Sequence, residues 1–548
     1  MKFSRRALLA AGLPLAGAAM FPWARRRLGA GEREITGRIV GTQAGGGHLL
    51  LGGKLPAPSA EVRLPVAILG GGVAGLSAAW KLARSGFHDF RLFEIEPEMG
   101  GTSRGGRGPA TNYPWGSHYI PIPGRFAKAV KELFVELGVI RDWPVGGEPV
   151  YDERYLCFAP QERLFIHGRW QEGLFPSSGA SATDLSELDR FRALMNGYRH
   201  RVDGSGRPAF ALPLEYSSRD PELLELDTIS MAQFLDRHGF KSPRVRWYVE
   251  YGCRDDYGCT LENTSAWANI LYYAARPGSD QDDDGLVLTW PDGVGWIVAR
   301  LVERLGHFMT PDSLVCRIEA EEGFDGGPGA RVDVLHLPTR KMTRIHAKHA
   351  IVALPQFAVK HVLVNAPVKD METFSYAPWV VANVSVDEVP QGRGVAPAWD
   401  NVIYPSKALG YVIATHQALT GHPGPSVLTW YNALCYESPA DARTRMLDTP
   451  WEEWRRQVLA DLSIGHPGIA KTVSSIDVIL WAHAMVRPSP GIVWGEAKRR
   501  LNEMDGPILL AHSDMSGVPL FEEAQYRAVR AAEKVLTRLG VKFESSLA

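Results

Sequence analysis

Apolar residues along this chain fall into two patterns. Unbroken apolar runs at 64–69 and 508–511 predict buried strands, because a strand covered on both faces carries no polar alternation, and 89–95 predicts a second strand. Helical spacing appears elsewhere: Leu76, Ala79, Trp80, Leu82 and Ala83 form one apolar face, 297–305 a second, and Ala524, Val529, Ala532 and Val535 a third within 521–539. Ser85-Gly86 supplies a stop for the first of these helices. Strand, helix and strand in immediate succession over 64–95 predict a βαβ unit.

The turn joining the first strand to its helix is Gly70-Gly71-Gly72-Val73-Ala74-Gly75, and Glu94 closes the second strand. Each part has a task in dinucleotide binding. Gly70 permits the tight turn, Gly72 lets a pyrophosphate approach the backbone, and Gly75 lets the helix pack on the strand. Free N–H groups at Val73, Ala74 and Gly75 and the positive end of the helix dipole favour an anion there. Glu94 accepts hydrogen bonds from ribose hydroxyls and would repel a 2′-phosphate.

Gly100-Gly101-Thr102-Ser103-Arg104 follows, with small residues that let the chain pass close to a pyrophosphate. From Val66 through Gly101 the sequence resembles the N-terminal motif of the flavin amine oxidase superfamily, which includes monoamine and polyamine oxidases, protoporphyrinogen oxidase and carotenoid desaturases. The resemblance implies an α/β fold: a three-layer, glutathione-reductase-like Rossmann-type FAD-binding domain assembled from discontinuous segments, plus an α+β substrate domain. The implied FAD domain takes 61–124, 290–355 and 507–548, and the substrate domain 125–289 and 356–506.

Residue by residue, the resemblance puts Gly101, Thr102, Ser103 and Arg104 at the phosphates, and Gly116, Ser117 and His118 beside the isoalloxazine ring. It gives Val315 a backbone contact to adenine, and it makes Asp514 the acid of the closing motif, facing the ribityl or phosphate region, with Ser513 and Phe521 on either side. Pro291 to Trp296 resembles the turn that re-enters the FAD domain. Noncovalent FAD is implied, since Trp481 to Trp494 holds no cysteine where some members attach flavin. Two family features are missing. The strand 378–385 has no lysine, the expected position falling on Ala382 or Asn383, and Gly517-Val518-Pro519-Leu520 lacks the aromatic residue many amine oxidases carry there.

Composition adds little against this and one thing for it. A net charge of −1 gives no sign of a nucleic-acid partner, and 16 tryptophans suit a large apolar cavity as well as a core. Five cysteines without a C-x-x-C pair argue against a metal site; Cys253 and Cys259 are either a small disulfide loop or two free thiols. The acidic run at 280–284 reads as a solvated loop or as an attractor for a cationic amine. His118 is a candidate base or orienter, with a structural, backbone-bonded histidine as the alternative. Trp481 and His483 line the pocket or pack the core.

At the N-terminus, Ser4-Arg5-Arg6-Ala7-Leu8-Leu9 resembles a twin-arginine signal within 1–30, before an apolar run too short for a membrane core of about 20 residues. That implies a folded flavoprotein in the periplasm, cut after Ala18 or held at the membrane by Arg25, Arg26 and Arg27; the other reading is a basic start on a cytoplasmic enzyme. Residues 31–60 read as a linker with a hairpin around 35–51. The expected activity is transfer of a hydride from an amine, with a polyamine as one candidate, to flavin, and then to oxygen or a quinone-like acceptor. A desaturase or isomerase of an apolar substrate and a noncatalytic electron-transfer flavoprotein are the alternatives.

Overall fold

The computed structural model describes residues 33–276, 285–418 and 424–548. The expected signal and the acidic run at 280–284 lie outside the described residues. Two sheets organise the rest. The first has seven strands, and its centre is the long strand Lys341–Val352, parallel to Ala60–Leu69 along one edge and, at its end, to Ile508–Leu510. Phe90–Phe93 and Met309–Thr310 continue the parallel edge, and Pro328–His336 with Ser313–Glu322 return antiparallel on the other. Val66, Ala67, Ile68 and Leu69 have no exposed surface, as expected for a strand covered on both sides.

Helix Val73–Arg84 packs against Phe521–Arg538, which brings the two ends of the described chain together in one apolar core around Leu76, Ala79, Ala528 and Val529. The first of these helices ends at Ser85, and Gly86 turns away with φ +76°.

The second sheet has eight strands, with Val473–Val486 and Tyr376–Val386 antiparallel to each other toward one edge. Helices Ala182–His200, Pro243–Tyr257 and Ala266–Ala274 join it through an aromatic core that includes Phe191, Tyr257 and Trp267.

Residues 31–60 differ from expectation. No hairpin forms over 35–51; Thr36–Val40 instead pairs in parallel with Val473–Val486, and short helical turns at Ala44–Gly47 and His48–Leu51 follow. Leu49 and Leu50 then pack against the seven-stranded sheet, so this stretch ties the two sheets together rather than linking loosely. The turn-rich composition hid a strand whose pairing partner lies more than 400 positions away.

Candidate functional site

The glycine turn is built as close packing demands. Gly70 has φ +102° and donates its N–H to Phe93 O at 2.8 Å. A Cβ on Gly75 would sit 1.8 Å from Gly70 O, so only glycine lets this helix start here. Gly72 is different: a Cβ there would meet no protein atom within 4 Å. It is also the N-cap of Val73–Arg84 and offers no side-chain cap, leaving the first-turn N–H groups of Val73, Ala74 and Gly75 aimed outward.

Glu94 is buried beside this turn, its Oε2 accepting from Gly71 N at 2.5 Å and its Oε1 from Glu96 N at 2.9 Å. Burial raises its pKa, with the two backbone N–H groups pulling the other way. Gly100 N reaches Gly71 O at 2.8 Å and begins the turn Gly101–Ser103, whose left-handed Gly101 brings it against Gly72. Arg104 follows, with Nη1 3.3 Å from Glu96, its guanidinium over the Trp481 ring, and a buried Nε that has no partner.

Gly116 lies directly on Thr102, where a Cβ would come within 2.4 Å of Thr102 O. Ser117 is 3.4 Å from Ser103 through their hydroxyls, and Ser117 O accepts from Val294 N at 3.0 Å. Segments 70–75, 100–104, 115–118 and 291–296 therefore meet in space. Val315 is buried in the strand whose first residue, Ser313, donates to Glu94 O at 2.7 Å. The donor set suits a dinucleotide: an acid at the ribose position, an open glycine and a helix N-terminus at the phosphates, and an unpaired guanidinium Nε nearby.

Asp514 is 1% exposed and its Oδ2 accepts from Gln356 N at 2.8 Å and from the Tyr376 hydroxyl, with His512 beside Oδ1. Burial alone would raise its pKa, but His512 and these donors hold it below the usual carboxylate range. Its Oδ2 ties the closing motif to the helix Gln356–Val362, and its Oδ1 is buried without a hydrogen-bond partner. Ser513 is buried beside it, and Phe521 opens the last helix half-buried, with no side-chain cap.

His118 Nδ1 lies 3.1 Å from Gly116 O. A carbonyl only accepts, so Nδ1 carries the proton and Nε2 is left as an acceptor. Burial pushes its pKa down to about 4, so it is neutral at ordinary pH. The ring stands among Tyr119, Trp399 and Tyr431 at the edge of a cavity that also takes in Asp255, Arg276 and Asp400.

That cavity is acidic. The Tyr251 and Tyr431 hydroxyls donate to Asp400 at 3.0 and 3.1 Å, Tyr119 stands 3.3 Å from Asp255 and 3.2 Å from Asp256, and Arg276 pairs with Asp256 at 2.7 Å. Burial, with Asp256 and Asp400 adding to it, raises the pKa of Asp255 far above the usual range. Sequence reasoning missed these aspartates and tyrosines; the one local signal was Asp255-Asp256 inside a helix rich in aromatic residues.

The strand without lysine is Tyr376–Val386. Ala382 faces away into a separate core, while Asn383 donates to Pro114 O at 3.1 Å and accepts from Thr429 at 2.7 Å, so an amide stands next to segment 114–118. Trp481 Nε1 donates to Trp115 O at 2.6 Å, and His483 stacks on Phe357 at 4.3 Å. All five cysteines are free and buried.

Comparison with known proteins bears on this geometry. The profile of the NAD(P)-binding Rossmann-like domain family matches residues 68–137. Among solved structures, a putrescine oxidase bound to putrescine superposes with a TM-score of 0.61 at 17% identity, covering 87% of this chain and 100% of that one. The cyclohexylamine oxidase of Brevibacterium oxydans gives 0.60 at 15% identity, covering 87% and 99%, and a CLA-producing fatty acid isomerase from P. acnes gives 0.56 at 16%, covering 87% and 98%. The likeness establishes the fold. It is the mixed α/β architecture expected from the sequence, with a Rossmann-like dinucleotide domain and a second sheet beside it.

Proposed function

We propose that this protein is an FAD-dependent oxidoreductase that oxidises a cationic amine, with FAD bound noncovalently. The acidic cavity beside His118 carries the amine reading, since Asp255 and Asp400 line it together while Arg276, its cation among the described residues, is paired with Asp256. An ammonium group entering there gains charge-assisted hydrogen bonds and relieves repulsion between the acids. Gly72, the first-turn N–H groups and Arg104 would hold the pyrophosphate, and Glu94 the adenosine ribose.

When bound, FAD would supply the two-electron acceptor for a hydride from the amine. The chain's own part is to orient and to dry the site. Trp399, Tyr431 and Tyr119 wall the cavity, and neutral His118 presents Nε2 as an acceptor for an amine proton. Oxygen or a quinone-like molecule then takes the electrons. Export through the twin-arginine pathway to the periplasm belongs to the same proposal; N-terminal sequencing of secreted protein tests it, and an intact Met1 on cytoplasmic protein contradicts it.

Asn383 in place of lysine favours a second reading, a desaturase or isomerase of an apolar substrate, because nothing basic on that strand faces segment 114–117. Anaerobic mixing with mono-, di- and polyamines separates the two. Bleaching of the flavin by an amine supports the first reading. Bleaching by no amine, with turnover of an apolar substrate, supports the second.

A further inference from the structure

Arg443 and Arg487 meet at the start of the strand Tyr376–Val386. Arg487 donates its backbone N–H to Ser375 O at 2.9 Å, and Arg443 reaches Tyr376 O with Nη1 at 3.4 Å. Arg487 is only 9% exposed, yet its side chain has a single acceptor, Cys259 Sγ, 3.2 Å from Nε. Burial raises the pKa of that thiol, so it stays neutral and supplies no counter-charge.

Among the described residues, no carboxylate lies within 4.0 Å of either guanidinium, and Arg443 has no side-chain partner beyond Tyr376 O. Burial, with the neighbouring Arg487 adding to it, lowers the pKa of Arg443. Trp379 packs on the same Gly258-Cys259 turn. Its Nε1 is buried without an acceptor and stands against Gly258, next to Cys259; a Cβ on Gly258 would lie 2.6 Å from it.

Two like charges in partly buried surroundings destabilise each other unless something neutralises them, and a buried indole N–H without an acceptor has lost its water without replacement. We propose that Arg443 and Arg487 form a binding site for the carboxylate of a small apolar acid. The guanidinium forks match a carboxylate in shape as well as charge. Around them Ala377, Trp379 and Cys259 are buried and apolar, surroundings that favour an acid with a hydrocarbon body over a bare phosphate. The site is independent of the amine reading, which rests on different residues.

The test uses FAD-loaded protein and equilibrium titration with benzoate, acetate and inorganic phosphate at constant ionic strength set with sodium chloride. Benzoate should bind saturably and more tightly than acetate or phosphate. Arg443→Gln and Arg487→Gln should each weaken it by about tenfold or more. In low-salt buffer without benzoate, Arg443→Gln should melt at or above the wild-type temperature, since it removes an uncompensated charge. Should Arg487→Gln fail to fold, the less buried Arg443→Gln carries the comparison. No saturable benzoate binding, or equal binding by wild type and Arg443→Gln, would overturn the proposal, and tighter binding of phosphate than of benzoate would overturn its carboxylate assignment.

Discussion

Gly72 and Gly75 stand three positions apart in one motif, yet the structure gives them opposite mutational signatures. A Cβ on Gly75 strikes Gly70 O, whereas one on Gly72 meets no protein atom. Gly72→Ala should therefore leave the thermal midpoint of the flavin-free protein nearly unchanged while weakening FAD binding on the order of tenfold or more, measured by fluorescence titration. Gly75→Ala should lower the yield of folded protein itself. These glycines were legible in the sequence because spacing alone exposes a turn before a helix. The cavity acids were not: Asp255 and Asp400 come from different elements and acquire meaning only when Tyr251, Tyr119 and Tyr431 bring them to one wall. Asp255→Asn keeps the volume and removes the group that can ionise against an ammonium, and should raise the KM for a cationic amine by about tenfold or more. An unchanged KM would place the substrate elsewhere.

At the scale of elements, the buried strands and the helices Val73–Arg84 and Phe521–Arg538 could be read from apolar runs and helical spacing, since both patterns are local. The strand Thr36–Val40 could not, because its stability comes from pairing with Val473–Val486. Gly37 makes that pairing possible, as a Cβ there would lie 1.9 Å from Ile476 O. Gly37→Val should detach this strand and destabilise the protein by about 1–3 kcal/mol, with faster hydrogen exchange over 473–486. The closing helix carries Glu522 in its first turn, where burial pushes the carboxyl up from 4.5 to about 7. Folding thus favours the protonated form. Its stabilising effect is full below about pH 4.5, declines as pH rises, and is lost above about pH 7. Glu522→Gln should raise the melting temperature by a few degrees at about pH 8 and leave it almost unchanged at about pH 4.

For the whole molecule, dinucleotide cradle and acidic cavity belong to different sheets, and segment 114–119 joins them. Trp115 takes a hydrogen bond from Trp481, Pro114 one from Asn383, and His118 turns its ring into the cavity. In the proposed arrangement a cofactor at Gly72 and a substrate at Asp255 would lie on either side of one short stretch of backbone. Because His118 is neutral down to about pH 4, it should contribute no limb near pH 6.5 to the rate of flavin reduction. The most direct measurement of this arrangement is anaerobic stopped-flow reduction of FAD-loaded protein by a primary diamine, comparing wild type with Asp255→Asn. The account predicts bleaching of the wild-type flavin and, in the variant, a marked loss of apparent amine affinity with the FAD spectrum before mixing unchanged. Wild-type flavin that no amine bleaches, or a variant reduced at the wild-type amine concentration dependence, would contradict it.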